Sequence, residues 1–232
     1  MLDDSRLNTP ETTPHQIPTN SATAPATEVG LIRGLDIYKT TLNQISIHAS
    51  GVSLIDAKGV SQLYNRAQPF RDLRYRVSVL RDDDAQPDAG IEAAFQAGAS
   101  SVLKWRAGRA LEDELFQSMP DPAVLSLLAK AEEFLGADLI DNQIKSLSGN
   151  TLNLTACKSA VTPPSRLVMA AAAKTKQNPW FKTVSRAEEI GRDIVGPHLA
   201  PCANETCATF PVEISGQQGS HDIRSTAQSH GA

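Results

Sequence analysis

Between residues 45 and 105 the chain alternates short apolar, β-branched runs with amphipathic stretches, and few folds tolerate that rhythm. ISIHASGVSLIDA (45–57), YRVSVL (75–80) and SSVLKW (100–105) read as strands, the first open to interruption at Gly51. VSQLYNRAQPFRDLR (60–74) reads as a helix that Pro69 should kink or end, and PDAGIEAAFQAG (87–98) as a helix stopped by Gly98. TEVGLIRGLDIYKTTL (27–42) comes before them, with Leu31, Leu35, Tyr38 and Leu42 at helical spacing and Thr27 as N-cap. Strands separated by helices of about a dozen residues imply an α/β fold with a parallel sheet flanked by helices. In such sheets functional groups collect at the carboxyl ends of the strands.

After residue 108 the pattern is helical only. RALEDELFQSM, PDPAVLSLLAKAEEFLG, ADLIDNQIKSLSG and SRLVMAAAAKTKQ carry helical periodicity, and VSRAEEIGRDIVGPHL (184–199) closes the series with a Ser185/Glu188 capping box. The expected organisation is an α/β domain over 27–108 and a helical part over 109–199. Residues 1–26 and 200–232, poor in apolar side chains, are expected to be disordered tails.

At 232 residues, 41% hydrophobic and net charge −4, the composition is that of a globular protein and argues against a general nucleic-acid coat. No apolar run approaches the roughly 20 residues that span a bilayer, and MLDDSRLNTPETTPHQ lacks the basic start and apolar centre of a secretory signal. A cytoplasmic location is expected, and three cysteines form no closed disulfide framework.

The strand VSVL runs into Arg81 and then Asp82, Asp83 and Asp84. Three adjacent like charges cost stability unless something offsets them, and carboxylate oxygens are what Mg²⁺ and Mn²⁺ prefer. Asp82 and Asp84 can converge on one ion, while Asp83 would face elsewhere, toward solvent. The plain alternative is a solvated turn leading into a helix capped by Asp88. Glu112, after the strand SSVLKW and Gly108, falls on the same side of the sheet; it could equally be a surface acid at a helix start, with Asp113 and Glu114 behind it. Lys182, in NPWFKTVSRAEE, is an ordinary surface lysine unless a phosphate lies beside it, where it would stabilise developing negative charge.

Four blocks resemble a known family: GLIRGLD (30–36), SLIDAKGVSQLYNRAQPFRDLRYRVSVLRDDD (53–84), WRAGRALEDELF (105–116) and NPWFKTVSRAEEIGR (178–192). In order and register over about residues 27–199 they look like the C-terminal Toprim half of the OLD-family (overcoming lysogenization defect) ATP-dependent endonucleases. The resemblance implies a Toprim-like sheet, metal-dependent DNA cleavage with two Mg²⁺ or Mn²⁺ ions, a role in phage defence, and DNA as partner. It also implies an ATPase half, which here would be a separate subunit because the chain has no Walker A loop; a homo-oligomer is the other expected assembly. Asp82 and Asp84 match the family's DxD metal ligands, Glu112 its downstream acid, Lys182 its basic residue near the scissile phosphate, and Glu28 the second glutamate of its EGxTE-like motif.

The chain departs from that pattern at its front. Ala24 stands where the first glutamate belongs, and TNSATAPATE offers no strand-like run. The first strand of the sheet is therefore expected to be missing, as in a module cut off at its front end, and catalysis to be impaired. A non-catalytic remnant that binds DNA or a partner is the alternative; a phosphoacceptor receiver-like domain ranks below both. Two smaller features complete the reading. His198, Cys202, Cys207 and His221 match no compact zinc module, and Arg66, Arg71, Arg74 and Arg76 form a basic cluster more readily explained as an exposed helix face than as phosphate contacts. Trp105 and Trp180 read as core packing.

Overall fold

A computed structural model describes residues 20–98 and 100–199, so the expectations for residues 1–19 and 200–232, including Cys202, Cys207 and His221, lie outside the described residues. The architecture is α/β. Four strands, β1 (Asn20–Ala24), β2 (Val52–Asp56), β3 (Arg76–Arg81) and β4 (Ser101–Lys104), form one parallel sheet in the order β2-β1-β3-β4.

The first strand, expected to be absent, is present and lies inside the sheet. NSATA pairs with β2 from Asn20↔Val52 to Ala24↔Asp56 and with β3 from Asn20↔Arg76 to Thr23↔Val79. Its residues are too small to give an apolar signal, yet the neighbouring strands supply hydrogen bonds on both edges and the helices bury it; Thr23 is fully enclosed. Asn20 also donates to the Gly51 carbonyl at 3.0 Å, and β2 begins only after that glycine.

Helices cover both faces. On one side lie α2 (Leu63–Asp72), entered through a single 3₁₀ turn at Val60–Gln62, and α3 (Ala89–Ala97), packed with Val77, Val79 and Val102 around Leu63, Tyr64, Ala67 and Phe95. Pro69 sits inside α2, which runs on to Asp72. Asp88 caps α3, accepting from the Gly90 and Ile91 amides. The other side holds α1 (Ala26–Thr41) and the helices after residue 108: α4 (Leu111–Ser118), α5 (Asp121–Leu135), α6 (Ala137–Leu147), α7 (Leu154–Ser159), α8 (Pro163–Ala173) and α9 (Val184–Ile190), which continues as a π-helical turn over Gly191–Val195. One continuous apolar core joins Leu31 of α1, Trp105 and these helices, with Leu80 of β3 against it. Trp180 is fully buried, stacked edge-on to Phe116 at 5.5 Å, and donates its indole N–H to Gln143 at 2.7 Å.

Three helix starts differ from expectation. α1 begins after Pro25, so Thr27 falls within its first turn, and Thr183 caps α9 through the Arg186 amide, leaving Ser185 inside the helix. The short α7, capped by Asn153, gave no readable period.

The contact between α1 and α9 is unusually close. A methyl group at Gly34 would overlap the Glu188 carbonyl, and one at Gly191 would lie 2.6 Å from the Leu31 carbonyl oxygen. Backbone-to-backbone packing of this kind needs glycine. It fixes the segment that carries Lys182 relative to the first turn of α1, where Glu28 sits.

Candidate functional site

The carboxyl edge of the sheet brings together five side chains from four separate segments. β1 ends at Ala24, Pro25 carries the chain over in extended conformation, and α1 starts at once, placing Glu28 in its first turn with 2% exposure. β3 ends at Arg81, and Asp82 follows. The amide of Leu111, at the N-terminus of α4, donates to Asp82 Oδ1 at 2.9 Å. Glu112, the next residue, is buried in the same helical turn. Lys182, exposed on the loop before α9, contributes positive charge to both Asp82 and Glu112.

These acids are close enough to oppose one another's ionisation. Burial, then the charge of Asp82, holds the Glu28 carboxyl well above the ordinary glutamate value of 4.5. The Asp82 side chain adds to that rise at close range, and the enclosed Oε2 of Glu28 has no hydrogen-bond partner. Burial is also the largest influence on Asp82, raising it; the Leu111 amide works against that, and neighbouring Asp84 adds to it. Glu112 is pushed up to about 7, by burial first and by the Asp82 charge, with Lys182 and Lys174 pulling the other way. Asp84 is exposed at the outer edge.

The two other acids of α4 are committed elsewhere. Asp113 accepts the Ala110 amide at 2.9 Å and Lys174 at 2.6 Å, while Glu114, 1% exposed, takes the Arg106 amide, Arg109 and Ser118. Of the three consecutive acids, Glu112 is the one turned to Asp82.

Asp83 corrects the expectation that it faces solvent. It is 7% exposed and turned to the opposite face, where its Oδ1 meets Arg81 at 3.1 Å and its Oδ2 accepts the Gly108 amide at 2.9 Å. Burial opposes its charge, but the Gly108 amide, Gln86, Lys104 and Arg81 hold the carboxyl below the ordinary aspartate range. Arg81, itself 1% exposed, binds Glu92 through Nε at 2.9 Å and Nη2 at 3.2 Å. The sequence marked neither Arg81 nor Glu92, because charge and position alone do not reveal which acid will fold back onto which base.

The basic cluster does not join the site. Arg76 opens β3 at the edge opposite Asp82, and Arg74 lies beyond it; six strand residues put that edge about 20 Å away. Arg71 packs over the Phe95 ring at 5.9 Å. Arg66 and Arg74 are exposed.

The residues fit a hard divalent cation by donor type: all-oxygen carboxylates, an excess of negative charge, and one buried oxygen with nothing to bind. They are not preassembled as a coordination sphere, since among the described residues no group of three or more His, Cys, Asp or Glu stands in position to hold a metal. Ala24, 2% exposed at the end of β1, offers no oxygen from its side chain; its register partner Asp56 is tied to Lys58 at 2.6 Å. Among the described residues no helix is long and apolar enough to cross a membrane. No family model matches the chain, and neither a curated protein nor a solved structure is significantly similar to it.

Proposed function

We propose that this chain is a Toprim-type, Mg²⁺- or Mn²⁺-dependent nuclease module acting on DNA phosphodiesters. The observation that carries the reading is the convergence of Glu28, Asp82 and Glu112, buried or half-buried and mutually repelling, at the carboxyl edge of a parallel sheet. A fold does not leave carboxylates so placed without cost, and a divalent cation removes that cost.

Glu28, Asp82, Asp84 and Glu112 would hold the cation. When bound, it would supply an activated water and stabilise the leaving oxygen of the phosphodiester. The remaining work belongs to the chain. The Leu111 amide orients the Asp82 carboxylate, and a bound cation would favour the ionised forms of Glu28 and Glu112, whose burial works against their charge. Lys182, exposed beside the acids, would face the phosphate of a bound strand and offset its negative charge. A separate ATPase subunit or a second copy of the chain would complete the assembly.

A second reading has one observation of its own: Ala24, where β1 brings no acid. On that reading the module binds DNA or a partner without cutting it. Plasmid cleavage by the purified chain with Mn²⁺, beside Asp82→Ala and Ala24→Glu, separates the two. Cleavage lost in Asp82→Ala supports the nuclease. No cleavage by the parent but cleavage by Ala24→Glu supports the binding module. No cation binding by any of the three in an Mn²⁺ titration overturns the nuclease reading and leaves only the binding module.

A further inference from the structure

The turn that carries Asp82 and Asp84 is gripped from beneath. Arg81 spends its guanidinium on it: Nη1 donates to the Asp82 carbonyl at 2.8 Å and to Asp83 Oδ1 at 3.1 Å, and Nη2 reaches Gln86 at 3.4 Å. The same group is anchored to α3 through Glu92, which also accepts the Tyr64 hydroxyl from α2. Asp83 extends the grip in the other direction. Its Oδ2 takes the Gly108 amide at 2.9 Å, its own amide donates to the Arg109 carbonyl at 2.8 Å, and its carbonyl accepts from Gln86 at 2.7 Å. Gly108 adopts a φ of +74°, a turn conformation that suits glycine.

Residues 105–110 are the loop that launches α4, and α4 carries Glu112 and the Leu111 amide that binds Asp82. A closed circuit results. Asp83 fixes the loop, the loop fixes the start of α4, and α4 returns to Asp82 with a hydrogen bond and to the site with Glu112. Alternation along the RDDD run makes this possible: Arg81 and Asp83 go to one face of the sheet, and Asp82 stays on the other.

We propose that Arg81 and Asp83 are positioning residues that set the distance between the Asp82 and Glu112 carboxylates. They act through the backbone and touch neither cation nor DNA. The inference rests on the cation reading of the site given above. Apolar side chains of similar volume would hold β3 against α2 and α3 equally well, since buried ion pairs are poor sources of stability. What apolar side chains cannot do is direct the Asp82 carbonyl and the Gly108 amide, and those directions decide where the two acids stand.

The test uses the full chain and Mn²⁺ alone as the ligand, with titration calorimetry at a temperature well below unfolding, followed by plasmid cleavage. Asp83→Asn keeps an oxygen for the Gly108 amide and removes the charge paired with Arg81. It is expected to fold, to bind Mn²⁺ about 10–100-fold more weakly, and to lose kcat with KM for DNA little changed. Arg81→Lys, which cannot reproduce the forked contacts, should weaken Mn²⁺ binding in the same direction. Gln86→Ala, at the exposed end of the turn, should do so to a smaller extent and remains informative if a buried variant fails to fold. A purely structural role predicts a lower unfolding midpoint with unchanged Mn²⁺ affinity, and that result overturns the proposal. Absence of Mn²⁺ binding by the parent chain overturns the cation reading together with this one, whereas a binding parent with equally binding variants overturns this one only.

Discussion

Two clusters of buried charge lie back to back across the carboxyl edge of one sheet, and they are built on opposite principles. On the α2/α3 face, Arg81 and Lys104 meet Asp83 and Glu92, cation for anion, with nearly every polar direction used. On the α1/α4 face, Glu28, Asp82 and Glu112 meet one another, with an exposed lysine at the margin and a second, Lys174, already engaged by Asp113. The first cluster has its neutralisation built in. The second lacks it, and on the proposed reading a divalent cation would supply it. One tetrapeptide, Arg81 to Asp84, feeds both.

The widest separation between the two clusters should come from removing one charge from each. Arg81→Met strands Glu92 and Asp83 in a buried environment, and urea denaturation should show a loss of about 3–5 kcal/mol. Glu112→Gln removes a charge the protein holds at a cost. Without metal, at pH 8, it should leave stability unchanged or raise it by about 1–3 kcal/mol, while abolishing Mn²⁺-dependent cleavage. Equal destabilisation by both would show that the acid cluster is as well compensated as its neighbour.

A pH series sharpens the same contrast. Glu112 is raised in the folded protein to about 7 from an ordinary value of 4.5, and Glu28 is raised as well. Between those values the unfolded chain has released a proton that native Glu112 still holds, so the Glu112 contribution to metal-free stability falls as pH rises from about 4.5 to about 7 and levels off above, and Glu28 adds a fall of the same sign. Asp83 and Glu92 are shifted the other way, so their contribution is present above the ordinary carboxylate range and lost only as pH falls below it. Thermal unfolding without metal should therefore show a midpoint that drops over the neutral range, and added Mn²⁺ should flatten that slope. A flat profile without metal would mean that the acids of the α1/α4 face are not held together as described.

Asp82 and Glu112 stood out in the sequence because each follows a recognisable boundary, the end of an apolar run and the start of a helix, whereas Glu28 was reached only through the family resemblance. Arg81 and Asp83 were not legible, since whether a charge points into a fold or out of it depends on what α2 and α3 bring to meet it. The strand β1 was illegible for a different reason. Ser21, Ala22, Thr23 and Ala24 carry no large apolar group, and only the pairing of β2 and β3 on either side makes them a strand. Local propensity yields to tertiary context most readily where strand neighbours do the burying. Ala24 keeps its meaning through this correction: the strand is there, and what it lacks is an acid at its end.

The smallest expected effect probes the far end of the balanced cluster. The Tyr64 hydroxyl donates to Glu92, and burial, followed by the Glu92 interaction, holds its own proton more tightly than in an ordinary tyrosine. Tyr64→Phe removes one oxygen and leaves the ring packed edge-on against Phe95 at 5.2 Å. Glu92 retains both contacts from Arg81, so no charge is stranded, and the loss should be about 0.5–1.5 kcal/mol. Because the change lies three links from Asp82, Mn²⁺ affinity should move far less than in Asp83→Asn. A Tyr64→Phe protein that loses as much affinity as Asp83→Asn would show that the two faces are not separate devices, and that the acid site depends on the whole Tyr64–Glu92–Arg81 chain rather than on the grip of Arg81 and Asp83 alone.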